Sequence, residues 1–109
     1  MPGRVSARRQ FALLARSKTR GQSGPLRVSY APDPTAGSEI AVAFAIGRKV
    51  GNAVVRNRLR RQLRALFDSL SPAPQAGIYL IRCSFEINAL SYDELGQHLE
   101  RALSRVAHG

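Results

Sequence analysis

"RKVGNAVVRNRLRRQLR", residues 48–64, decides how the rest of this chain is read. It holds seven cationic side chains and no acidic one. The apolar residues before it alternate, and after Lys49 their spacing lengthens from the two of a strand to the 3.6 of a helix. Val55, Leu59, Leu63, Leu66 and Leu70 then fall on one stripe, which predicts a helix from about Asn52 to Leu70. Arg56, Arg60 and Arg64 run along one edge of that stripe, and Asn57, Arg58 and Arg61 fill the remaining polar arc. Like charges four residues apart weaken an isolated helix by roughly 0.2–0.5 kcal/mol per pair. A solvated face would mix Glu with Lys, so an arc of one sign implies an anionic partner.

Upstream, "IAVAFAI" (residues 40–46) places Ile40, Val42, Phe44 and Ile46 on one face of a strand and Ala41, Ala43 and Ala45 on the other. The alanine face fits either a closely packed helix or the floor of a shallow groove. "PLRVSYA" (residues 25–31) alternates Leu26, Val28 and Tyr30 against Arg27 and Ser29, the pattern of a half-buried strand ended by the turn "PDPTAG". "SKTRGQSG" (residues 17–24) reads as a flexible loop. Before it, Ser6 can cap a short helix over about residues 7–16 in which Phe11 and Leu14 share a face.

Downstream, "SPAPQAG" (residues 71–77) breaks the chain, and "IYLIRCS" (residues 78–84) reads as a buried strand, apolar on both faces. Ser91 and Glu94 form a capping box for a last helix lined by Leu95, Leu99, Leu103 and Val106. The expected fold class is a small α+β domain of order α-β-β(-β)-α-β-α, a mixed sheet packed by helices. Residues 1–109 are expected to form a single domain, with residues 1–6 flexible.

The chain has 109 residues, a formal net charge of +10 and a pI near 11.4. Such an excess points to nucleic acid or an anionic membrane. No apolar run is long enough to span a bilayer, and the basic N-terminus lacks the apolar region of a secretory signal, so the expectation is a cytoplasmic protein with no membrane partner. Of the 17 cations 15 are Arg, whose planar fork binds phosphate bidentately. Basic residues dominate the first two thirds, while Asp68, Glu86, Asp93, Glu94 and Glu100 lie beyond. The lone Cys83 reads as a half-buried strand residue, and no Cys/His cluster has metal-ligand spacing.

Catalytic groups are scarce. Residues 1–67 contain only Asp33 and Glu39 as acids and no His, and His98 and His108 have no partner that spacing supplies. No P-loop, dinucleotide fingerprint or paired metal-binding carboxylates occur. Duplex DNA reading would need a frame such as helix-turn-helix, which is not visible. Dense Arg suits phosphate-dominated contact with structured RNA.

Val50, Ala53 and "RNRLRRQLR" (residues 56–64), preceded by the basic pair Arg48 and Lys49 in "GRKVGNAV", closely resemble the RNR motif of the protein subunit of bacterial ribonuclease P. "RVSARRQF" (residues 4–11) is similar to that family's N-terminal pattern, with Arg4 and Phe11 at its functional positions. The strand "IYLIR" and the closing helix resemble the family in general shape only.

The resemblance implies a protein that assists a catalytic RNA in removing the 5′ leader from precursor tRNA. In that holoenzyme Mg²⁺, bound mainly by the RNA, serves the hydrolysis, and the protein, expected to be monomeric with one copy per RNA subunit, has no catalytic residues of its own. The resemblance assigns Arg48, Lys49, Asn52, Arg56, Asn57, Arg58, Arg60, Arg61 and Arg64 to the RNA subunit. It assigns Arg4, Phe11, Ala43, Ala45 and Arg82 to a cleft for the single-stranded leader. It also implies a left-handed crossover of the strand, helix, strand unit around the motif. Ala15 stands where many members carry a second aromatic, and Arg82 followed by Cys83 departs from the usual small-then-basic pair. The other reading of the charge is a basic RNA-binding protein, ribosome-associated or RNA-folding, with no processing role.

Overall fold

In chain order the elements are β1 (Gly3–Arg4), α1 (Arg8–Arg16), β2 (Thr19–Ser23), β3 (Leu26–Ala31), β4 (Ile40–Ala45), α2 (Ala53–Asp68), β5 (Gly77–Cys83), a 3-10 turn (Phe85–Ala89) and α3 (Tyr92–His108). The structure, a computed structural model, describes residues 3–4, 8–33 and 39–108. The expected Ser6 cap lies outside these residues.

The strands form one mixed sheet in the order β1-β4-β5-β3-β2. β4 and β5 pair in parallel, with α2 as the crossover between them, while β3 pairs antiparallel with both β5 and β2. The apolar character of both faces of "IYLIRCS" follows from this central place. Tyr79 and Ile81 enter the main core with α2 and α3, and Ile78 and Leu80 enter a smaller cluster on the opposite face. Leu14 of α1 closes that smaller cluster together with Ala31.

α2 begins where the sequence places it. The Asn52 side-chain oxygen accepts the Val55 N–H at 3.0 Å, satisfying one of the first-turn donors. The Ser69 N–H closes the other end on the Ala65 carbonyl at 3.1 Å. The buried stripe is Leu59, Leu63 and Phe67, with Val55, Leu66 and Leu70 at its margins. Phe67, which the expected stripe omits, sits edge-on to Tyr79 with ring centroids 5.4 Å apart. Full burial of such side chains stabilises by about 1.5–3 kcal/mol each, enough to offset the repulsion among the arginines beside them.

Two N-terminal segments take more structure than their sequence suggests. Gly3 and Arg4, within the segment expected to be flexible, pair with Ala41 and Val42 at the edge of the sheet. "SKTRGQSG" is not a loop, because its residues 19–23 form β2, paired antiparallel with β3 from Thr19↔Tyr30 to Ser23↔Leu26. α3 covers this strand so closely that a Cβ on Gly21 would stand 2.0 Å from the Ala102 carbonyl oxygen. Only glycine permits that approach. Ser23 and His98 Nδ1, 2.7 Å apart, and Arg105 bonded to the Gln22 carbonyl complete the seam.

The Ser91/Glu94 capping box of α3 forms reciprocally, at 2.9 and 3.1 Å. Accepting the Ser91 backbone N–H, and then its hydroxyl, holds the Glu94 carboxyl below the usual range.

Candidate nucleic-acid interface

α2 carries five arginines and one acid, Asp68 at its last position. Packing of its apolar stripe against the sheet turns this charge outward. Arg58 and Arg61 are exposed, while Arg56, Arg60 and Arg64 are half-buried along the margin of the stripe, so their stems lie on apolar surface and their guanidinium groups define an edge. The arc is partly fixed in place. Arg60 Nη1 donates to Asn57 Oδ1 at 3.1 Å, and the Arg64 guanidinium stands 5.3 Å from the centre of the Phe44 ring. Arg56 Nε is buried without a hydrogen-bond partner, a donor that rotation of the guanidinium toward an acceptor would satisfy.

Arg48 and Lys49 are exposed in the turn before α2, extending the basic surface past its N-terminus. That turn is anchored from below by buried Val50, whose carbonyl accepts Asn88 Nδ2 at 2.7 Å. Asn52 differs from the rest of the predicted set, since its side-chain oxygen is engaged as the helix cap.

The alanine face of β4 is divided between packed and exposed positions. Ala41 and Ala43 pack at the margin of the cluster beneath α1, while Ala45 is exposed. Phe11 lies one turn before Leu14 on α1, with 45% of its surface exposed against 3% for Leu14. It is therefore an aromatic at the rim of the α1 contact, open to a stacking partner. Ala43 also borders a concavity of about 490 Å³ whose other walls are Val42, Phe44, Arg60, Arg61 and Arg64, so the edge of β4 and the cationic margin of α2 meet. Arg4 enters through its backbone, which pairs with Val42.

Arg82 is exposed at the end of β5, level with Ala45 on β4 and with Arg27 on β3. The register thus draws Ala43, Ala45 and Arg82 onto one face of the sheet. Strand pairing, not spacing along the chain, brings Arg27 and Arg20 onto the same face as Arg82, so no local sequence pattern joins them to this group.

His98 is spent on the Ser23 contact at the seam of α3 and β2, which is structural. Cys83 packs half-buried against the main core, where burial pushes its thiol up to about 12. No described helix is long and apolar enough to cross a membrane.

The Ribonuclease P family model matches residues 2–107. The ribonuclease P protein component of Streptomyces bikiniensis is 34% identical over 115 residues, covering 97% of this chain and 93% of that one. Those of a Nocardioides species and of Thermus scotoductus are 37% and 39% identical over 75 and 85 residues, covering 68% and 78% of this chain. The chain spans 64% and 49% of the length of these last two relatives. Among solved structures, the ribonuclease P protein of Thermotoga maritima superposes with a TM-score of 0.79 at 22% identity, covering 94% of this chain and 96% of that one. That of Staphylococcus aureus gives 0.79 at 17% identity, covering 95% and 94%. The fold is therefore shared with these proteins, and the match in sequence over nearly the whole length shows that the chain belongs to the bacterial ribonuclease P protein family.

Proposed function

We propose that this chain is the protein subunit of a ribonuclease P ribonucleoprotein and assists its RNA subunit in removing the 5′ leader of precursor tRNA. The observation that carries this reading is the α2 surface, five arginines against a single terminal acid, held on the sheet by Leu59, Leu63 and Phe67 within a chain of this family. Arg56, Asn57, Arg58, Arg60, Arg61 and Arg64, with Arg48, Lys49 and Asn52 at the approach to the helix, bind the phosphates of the RNA subunit. Phe11, Ala43, Ala45 and Arg82, with Arg4 on the neighbouring edge strand, receive the single-stranded leader.

The division of labour follows from the side chains available. Arginine binds and orients phosphate but does not exchange protons near neutral pH. Among the described residues no three His, Cys, Asp or Glu side chains are grouped as metal ligands. Mg²⁺ is accordingly assigned to the RNA, where it supplies the hydrolytic chemistry, while this chain positions substrate and RNA. One protein per RNA subunit, acting in the cytoplasm, completes the reading.

Reconstitution with a bacterial ribonuclease P RNA at low Mg²⁺ tests it, with precursor tRNA cleavage as the readout. Stimulation by the protein is expected. Absence of stimulation, with RNA binding retained, would favour a basic RNA-binding protein without a processing role.

A further inference from the structure

On the sheet face that α1 leaves open, Arg27 and Arg82 stand directly opposite each other on β3 and β5. Both are exposed, and neither has a carboxylate partner among the described residues. Like charges at such a cross-strand pair destabilise a sheet. The next row adds a third cation, since Arg20 on β2 pairs with Ser29. Its Nη1 donates to buried Ser29 Oγ at 2.6 Å and its Nη2 to the Ser17 carbonyl at 3.2 Å, which fixes the guanidinium on the same face. Arg20, Arg27 and Arg82, with Gly21 and Gln22, line a concavity of about 520 Å³ that contains no aromatic side chain.

This is the cationic counterpart of the α2 surface, built on a different element. Neighbouring strands lie about 4.8 Å apart, so cations on β5, β3 and β2 form a short ladder across the sheet. Through the Ala45↔Arg82 pairing the ladder continues the alanine floor of β4. A strand of RNA lying on that floor is led onto it without changing face.

We propose that Arg20, Arg27 and Arg82 form a phosphate-binding extension of the leader cleft, gripping leader nucleotides beyond those that meet Phe11 and the alanine floor. The extension holds backbone and not bases, because guanidinium groups line it and no ring does. It offsets the single aromatic of α1, where Ala15 offers no second stacking surface. The inference rests on the leader-cleft reading above and adds Arg20 and Arg27 to it.

The test uses holoenzyme assembled with a bacterial ribonuclease P RNA and precursor tRNAs with leaders of graded length. Arg20→Gln/Arg27→Gln protein, which changes only the two residues added to the cleft, is compared with wild type and with Phe11→Ala. Two single-strand phosphate contacts give a salt slope of about −1.4, so wild-type affinity for the longest leader should fall about sevenfold more steeply between 50 and 200 mM salt than that of the double variant. Affinity for the shortest leaders and for leaderless tRNA should not change. An unchanged slope, equal losses at every leader length, or a loss confined to RNA-subunit binding would overturn the extension. If Phe11→Ala still weakens leader binding in those cases, the cleft reading survives. Wild-type affinity that is independent of any leader would remove both.

Discussion

The Arg64 guanidinium lies 5.3 Å from the centre of the Phe44 ring, so the cationic margin of α2 is seated on the strand that leads into the crossover. Strand and helix thereby share one basic concavity, with the ring limiting where the guanidinium can point. An exposed cation–π contact is worth about 0.5–1 kcal/mol. Phe44→Leu, which keeps an apolar side chain at the core margin, should lower affinity for the RNA subunit roughly twofold to fivefold with little change in thermal stability. A binding titration decides, and equal affinities would mean that Arg64 is not set by the ring.

Neutralising the margin itself should act through salt. Arg60→Gln/Arg64→Gln removes the charges that the structure holds through Asn57 and Phe44. Each lost phosphate contact removes counterion release, so the slope of log affinity for the RNA subunit against log salt should become shallower by about 1.5. Asn57→Ala, which only frees Arg60, should leave that slope nearly intact. Identical slopes for double variant and wild type would place RNA contact elsewhere.

Phe11 separates substrate from RNA-subunit effects, because it lies on the opposite sheet face from α2. Stacking a base on an aromatic contributes about 1–3 kcal/mol. Phe11→Ala should therefore weaken leader-bearing precursor tRNA by about tenfold or more and mature tRNA little, with RNA-subunit affinity unchanged. Matching losses for precursor and mature tRNA would argue against a leader contact at this ring.

The elements legible in the sequence are those with apolar periodicity. α2, α3, β3, β4 and β5 each bury residues at the spacing that predicts them. β2 lacks that signal, since "TRGQS" contains no apolar side chain larger than glycine and its buried positions are Gly21 and Ser23. It becomes a strand through pairing with β3 and cover from α3, both long-range effects. Phe67 enters the core because the stripe keeps four-residue steps after Leu63, where the sequence also allowed three. The RNR helix is readable because its five arginines fall within nine residues of the chain. Arg20, Arg27 and Arg82 meet only through register, so no local pattern shows them.

Gly21 tests the β2 finding. In Gly21→Ala the new methyl would meet the Ala102 carbonyl and the Val106 backbone nitrogen, neither of which can turn aside as a side chain end could. α3 must shift, at a cost of about 1–3 kcal/mol, or roughly 4–20 °C in melting temperature for a domain of this size. A melting temperature within a degree of wild type would show that α3 does not approach β2 this closely.

Cys83 predicts a pH window. Its thiol packs against the main core, and burial raises it from the ordinary 9.0 to about 12. The folded state thus keeps the proton more tightly than the unfolded one, and the stability this gives is fully present below pH 9 and is lost as pH rises from 9 toward 12. Cys83→Ala should flatten the decline in melting temperature that begins near pH 9. The remaining decline should begin higher, near pH 10, where Tyr79 starts to titrate in the unfolded chain while burial, and then the negative charge of neighbouring Tyr30, raise it in the folded one. In the native protein the thiol should also resist alkylation at pH 8 and react on unfolding. Rapid labelling at pH 8 without loss of the folded signal would show that the end of β5 opens, and with it the Arg82 end of the proposed cleft.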